Sequence, residues 1–283
     1  MSGELAQNMK LAALQMTSGP DLTANLVQAR GLLEAAAAQG ARLAALPENF
    51  SFMGLKDADK RAVAEADGDG EVQDFLADTA RRLKLWVVGG TVPLRAGADG
   101  RVAAACLVYD ADGRRVGRYD KIHLFDVDLP QRAESYRESA HVAPGGNAVV
   151  IDTPAGRLGL SVCYDVRFPE LYRHLSAQGA QLLVIPSAFT TSTGRAHWET
   201  LLRARAIENL CYVIAPAQSG FHPSGRETYG DSMIVDFWGR ILQRVPRGRG
   251  CAVAPVDLAA QAGVRQSFPA LGHRTFSERN LRS

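Results

Sequence analysis

No two of the four cysteines in this 283-residue chain lie close enough in sequence to form a zinc site or a redox pair. Cys106, Cys163, Cys211 and Cys251 are also too few for a disulfide framework. No resident metal or cofactor is expected, and any working thiol should be a free one. An excess of charge of one sign is missing too. Thirty-two Lys and Arg face 30 Asp and Glu, a net charge of +2, with no long block of either. That gives little to attract nucleic acid or an anionic membrane. Long apolar runs are absent: the most apolar stretches, 181–186 and 212–217, are strand-sized, whereas a membrane helix needs about 20 residues. The first 16 residues lack a basic segment followed by a long apolar one. No secretory signal is expected, and the default compartment is the cytosol. Standard motifs are missing as well. There is no GxxxxGK[ST], no GxGxxG between a strand and a helix, no GxSxG elbow and no HExxH.

What is present is an alternation of strand-like and helix-like segments. Residues 10–16 (KLAALQM), 43–46, 85–89, 102–110, 181–186, 212–218, 232–236 and 251–255 read as strands. Residues 149–152 and 157–163 read as a hairpin. Helical spacing marks 24–39, closed by Gly40, and 71–84, where Val72, Phe75, Leu76, Ala80 and Leu83 share a face. Two more helices are expected at 169–178, with Pro169 at the start, and at 196–209. The segment from 261 to 283 is polar and Arg-rich, without a clear period. Apolar strands alternating with helices imply an α/β protein. No linker-like composition shift divides the chain, so one domain over 1–283 is expected, with a polar tail from about 261.

In α/β sheets, ligands gather beyond the carboxyl ends of strands. Three reactive side chains stand at such ends: Glu48, Lys121 and Cys163. Cys106, Cys211 and Cys251 lie in or beside apolar strands and read as small buried hydrophobes. Cys163 is different, because a charged turn with Asp165, Arg167 and Glu170 follows it. A thiol near a helix N-terminus is expected to have a lowered pKa. His123 and His197 compete for the role of its base, as the commoner thiol partners, or serve structure; Glu48 alone reads as a surface or capping carboxylate and Lys121 alone as a solvated charge. The spacings do not choose among these. Arg167 can bind a substrate carboxylate through its fork or pair structurally with Asp165 or Glu170.

Taken in order, several segments resemble the nitrilase superfamily of carbon–nitrogen hydrolases. They are Leu46-Pro47-Glu48-Asn49, then 119–126 (YDKIHLFD), then Arg137-Glu138-Ser139, then 162–170 (VCYDVRFPE). Pro186-Ser187-Ala188-Phe189, 193–199 (TGRAHWE), 202–209 (LRARAIEN), Gly230-Asp231-Ser232-Met233 and Trp238-Gly239-Arg240 complete the set. The resemblance covers residues 10 to about 257 and implies a four-layer αββα sandwich that pairs into homodimers or larger homo-oligomers. It assigns Glu48 as general base and acid, Lys121 to the oxyanion, Cys163 as nucleophile and Glu138 as a supporting carboxylate on the 126–143 loop. The backbone N–H of Tyr164 would be a second oxyanion donor, with Arg167, Arg195 and Tyr136 as substrate contacts. Within the superfamily the chain resembles the branch of deaminated glutathione amidase and omega-amidase, and 163–170 and 211–220 favour the former. The substrate would then be a small carboxylate-bearing amide. A 2-oxoglutaramate-type amide, a nitrile, an N-carbamoyl compound or a non-catalytic binding role are the alternatives. Gly194-Arg195 stands where the family often has Gly-Pro, which would add a guanidinium near the pocket rim.

Overall fold

The computed structural model describes residues 9–97, 99–129 and 134–275. The readings of the first eight residues, of 130–133 within the 126–143 loop and of 276–283 in the tail lie outside them. The first strand, β1 (Lys10–Met16), shows how the sequence sets the layers. It is apolar on both faces, as a strand buried on both sides must be. Leu11 and Ala13 join one hydrophobic core, while Ala12, Leu14 and Met16 join another. The second core holds the apolar faces of helices α1 (Leu22–Ala38) and α2 (Glu71–Leu83).

Around β1 lie β2 (Ala41–Ala45), β3 (Trp86–Val88), β4 (Val92–Arg95), β5 (Val102–Tyr109) and β6 (Arg115–Asp120). The chain then forms a small hairpin, β7 (Asp126–Leu129) and β8 (Glu134–Arg137). A second sheet is built from β9 (Val150–Thr153), β10 (Gly156–Leu160), β11 (Leu182–Val184) and β12 (Tyr212–Ala215). Helices α3 (Pro169–Ala177) and α4 (Thr191–Asn209) cover its outer face. Strands β13 (Ala217–Phe221) and β14 (Glu227–Tyr229) return to the first sheet. Next, β15 (Ser232–Val235) and β16 (Ile241–Val245) extend the second, and β17 (Gly250–Pro255) pairs antiparallel with β1. The core between the sheets contains Leu11, Val88 and Cys106 from one and Leu160, Val184 and Ile214 from the other. The layers run α, β, β, α, as the resemblance implied. Among the described residues, no helix is long and apolar enough to cross a membrane.

Three local expectations change. The strand expected over 212–218 is two strands in different sheets. Pro216 lies between them; it has no N–H to keep a ladder continuous, and here the chain crosses from one sheet to the other. Helix α4 starts at Thr191 rather than 196, because the Thr190 hydroxyl caps the N–H of Thr193 at 3.4 Å. The tail expected from 261 begins inside a helix, α5 (Leu258–Ser267), capped by Asp257 at the N–H of Ala260. Polar side chains dock much of it. Gln261 donates to the Leu210 carbonyl at 2.8 Å, and Arg265 donates to that of Ala180 at 2.9 Å. A helix held this way needs no continuous apolar stripe, so hydrophobic periodicity did not reveal it.

Candidate active site

Glu48 follows β2. Leu46 still donates to the Val88 carbonyl, and then the chain turns through Asn49, whose φ is +57°. Gly90 makes room for this turn: a Cβ there would stand 1.9 Å from the Pro47 carbonyl oxygen. Gln218 holds the Glu48 carbonyl at 3.0 Å. Lys121 directly follows β6, with its N–H bonded to the Ala104 carbonyl. Glu138 follows β8, where its Oε2 accepts the N–H of Phe125 at 2.7 Å.

Cys163 stands three residues past the end of β10. Its N–H donates to the Pro186 carbonyl at 2.8 Å, and its φ is +48°. A non-glycine residue held in the left-handed region stores strain of about 1–3 kcal/mol and persists only where its surroundings enforce it. The enforcer here is Asp165, fully buried beneath the turn. Its carboxylate accepts from the N–H of Val162 at 2.7 Å and the hydroxyl of Tyr119 at 2.6 Å. It also accepts from the His123 backbone at 3.1 Å, and the His123 ring Nδ1 lies 2.7 Å away.

Four side chains from four segments therefore meet. Lys121 Nζ donates to Glu48 Oε1 at 2.8 Å and to both Glu138 oxygens at 2.8 and 3.0 Å. The Cys163 thiol lies beside the Glu48 carboxylate, near enough that each alters the ionisation of the other. Exposure is 2% at Lys121, 5% at Glu48 and 9% at Cys163, so water screens these charges little. Burial opposes the charge on Glu48, but Lys121, its hydrogen bond and the neighbouring Cys163 thiol hold the carboxyl below its ordinary value. Burial likewise opposes the charge on Lys121, and the two glutamates overcome it, raising the ammonium well above its usual range. The site is thus a buried cation between two carboxylates.

The lowered thiol expected at Cys163 is not found. Burial and the Glu48 carboxylate push it up, against the weaker pull of Lys121 and the Ala188 N–H. The five-residue 3-10 turn that starts at Cys163 is too short to offset this. The resting proton sits on sulfur, so the thiol needs a base at the moment of attack. Cys106 and Cys211, also buried, are pushed up to about 12, chiefly by desolvation, and neither lines the cleft.

Neither histidine lines the cleft. His123 stacks on Phe168 with ring centroids 3.7 Å apart and is tied to Asp165. His197 Nδ1 lies 3.2 Å from Arg167 Nη1. The cleft has a volume of about 520 Å³, and Glu48, Lys121, Glu138, Cys163, Tyr164 and Arg167 line it. Tyr136 lines it too, with its ring 5.1 Å from that of Phe125. Arg167 makes no structural pair with Asp165 or Glu170. Its guanidinium lies over the rings of Tyr164 and Phe189, at 5.8 and 5.2 Å from their centroids.

Arg195 is a correction. It is exposed and does not line the cleft. Two residues apart on an α-helix is about 200° of rotation, so Thr193 faces the cleft and Arg195 faces away. Starting the helix at 196 concealed this and also the cleft positions of Thr190 and Thr193. Lys60 and Arg226 line the cleft as well. Lys60 comes from a short 3-10 helix, Asp57–Arg61, and Arg226 from the turn before β14; neither carries a motif, and only the folded chain brings them there.

Residues 10–266 match the carbon–nitrogen hydrolase family model. The deaminated glutathione amidase of Synechocystis is 46% identical over 268 residues, which is 94% of this chain and 97% of that one. The crystal structure of the C. elegans NitFhit protein superposes with a TM-score of 0.89 at 40% identity, over 95% of this chain and 66% of that chain. That of Saccharomyces cerevisiae Nit3, a member of the nitrilase superfamily, gives 0.85 at 31% identity, over 95% of this chain and 97% of the other. The chain belongs to the carbon–nitrogen hydrolase family of the nitrilase superfamily.

Proposed function

We propose that this hydrolase is a thiol-dependent amidase acting on a small carboxylate-bearing amide of the deaminated glutathione type. In such a molecule a 2-oxo acid is joined through its far carbonyl to the amine of a cysteinylglycine unit. The observation that carries the reaction is the meeting of the Cys163 thiol, the Glu48 carboxylate and the Lys121 ammonium in one cleft. The name of the Synechocystis relative supports the choice of amide.

Glu48 takes the thiol proton as Cys163 Sγ bonds to the amide carbon. The carbonyl electron pair moves to oxygen, where Lys121 and the backbone N–H of Tyr164 receive it. One such donor is worth about 2.7–4 kcal/mol in acyl transfer. Collapse of this intermediate breaks the carbon–nitrogen bond while Glu48 passes its proton to the nitrogen. The amine leaves and a thioester remains on Cys163. Water then gives a proton to Glu48 and adds to the thioester carbon. The sulfur departs and recovers its proton from Glu48, and the acid is released. Glu138 acts as a positioning residue that fixes the Lys121 ammonium.

Arg167 binds the 2-oxo acid carboxylate. Burial opposes its charge, and its surroundings are aromatic, so a substrate carboxylate would complete its pairing. Arg167→Ala should raise KM about 10–100-fold for carboxylate-bearing amides and much less for neutral ones. A panel of deaminated glutathione, 2-oxoglutaramate and simple amides tests both points. Preference for 2-oxoglutaramate would move the substrate to the primary-amide alternative, and no turnover of any amide would remove the amidase reading.

A homodimer and a cytosolic setting belong to the same proposal. Exposed Trp238 and Phe268, packed edge-on at 5.8 Å, offer apolar surface to a second copy. Four free thiols suit a reducing compartment.

A further inference from the structure

The cleft continues outward into a second space. This outer vestibule, of about 690 Å³, shares Asn49, Asp57, Lys60, Tyr136 and Arg226 with the inner cleft. A primary amide, which releases ammonia, has nothing to put there. The lining is mainly cationic: Lys56, Lys60 and Arg226 stand against the single carboxylate of Asp57. None of the three cations has an ion-pair partner among the described residues. Arg226 is held in place for a ligand. Its guanidinium lies 5.1 Å from the centroid of the Tyr136 ring, and Nη2 donates to the Ala188 carbonyl at 3.1 Å. Its Nε is buried and has no hydrogen-bond partner. A buried donor left this way costs about 1–3 kcal/mol unless something accepts from it.

The geometry points to a leaving-group subsite in which Lys60 and Arg226 hold the terminal carboxylate of the departing amine. This rests on the amidase function proposed above and adds to it the half of the substrate beyond the scissile bond. Arg167 and the pair Lys60 and Arg226 would then grip anionic groups on the two sides of the reacting carbonyl. The grip on the leaving side is lost when the bond breaks and the amine departs, which favours long amides over primary ones.

The test uses two substrates with the same 2-oxoglutaryl group. One carries a dipeptide amine ending in a free glycine carboxylate, and the other carries the same dipeptide as its C-terminal carboxamide. The unmodified protein should show kcat/KM about tenfold or more higher for the carboxylate, the value of one charged hydrogen bond. In K60M/R226M the two values should approach each other to within about twofold, as for a screened surface charge. Because the ratio is read within one protein sample, partial loss of folded protein cancels. If the double variant does not fold, K60M alone must shrink the ratio. Equal rates for the two substrates in the unmodified protein would overturn the subsite and leave the amidase function standing. So would a preference that survives the substitutions. If neither substrate is hydrolysed, the function and the subsite fall together.

Discussion

Cys163→Ala abolishes amide hydrolysis, by a factor on the order of 10⁴ or more, while the protein remains folded. The size of the loss follows from the site's chemistry. Glu48 and Lys121 stay in place, but the attacking atom is gone, and no other thiol is placed to substitute. Cys106 and Cys211 are buried within the core, and Cys251 lies on β17. The fold survives because little depends on the sulfur. The turn is set by the Asp165 hydrogen bonds and by the bond from the Cys163 N–H to Pro186, and alanine keeps both. Converting the –CH2SH side chain to –CH3 removes one buried sulfur, a change of about 1 kcal/mol. Circular dichroism and thermal melting read the fold, and amine release reads the activity. Loss of activity together with loss of fold would leave the turn, rather than the nucleophile, as the cause.

Lys121→Met has the second large effect, and it separates charge from shape. Methionine fills much of the same volume but leaves Glu48 and Glu138 buried with no cation between them. Breaking a buried ion pair on one side costs about 3–5 kcal/mol, so the melting temperature should fall. Activity should fall on the order of 10³-fold or more as the oxyanion loses its main donor. The pH profile gives a sharper readout. In the unmodified protein Glu48 titrates below its ordinary value. Its contribution to stability is therefore present above the unfolded carboxyl pKa and is lost as pH falls through the lower folded value. Lys121 is raised, so its contribution is complete below the unfolded lysine pKa and is lost only as pH rises through the folded value. Both hold at neutral pH. Without Lys121, burial dominates Glu48, so the acid limb of the residual kcat/KM moves up toward neutrality. An acid limb that stays where it was would mean that Lys121 does not set the ionisation of Glu48.

Much of this site was legible from position. Glu48, Lys121 and Cys163 each follow a strand, and beyond strand ends is where α/β sheets present side chains. Residue chemistry alone pointed to a histidine as the base, and the family resemblance replaced it with Glu48. That choice depends on which groups the fold brings within hydrogen-bond reach across 73 residues between Glu48 and Lys121. Buried strands were legible from apolar runs such as Leu11–Leu14 in β1, whereas the four layers came from the family resemblance. Helix α5 was not, because Gln261 and Arg265 dock it through backbone carbonyls. Thr190 and Thr193 were missed by a helix start placed five residues late, and Arg195 was misplaced for the same reason. Arg226 and Lys60 had no local signal, since a short 3-10 helix and a distant turn bring them together only in the folded chain.

The most direct test of Cys163 as the nucleophile is the mass of the protein quenched in acid during turnover of a 2-oxoglutaryl amide. A population heavier by the acyl group, mapped by peptide digestion to Cys163 and released by hydroxylamine as a thioester must be, is the expected result. The adduct should be absent in Cys163→Ala. An adduct on another residue, or one that persists in that variant, would contradict a thioester on Cys163.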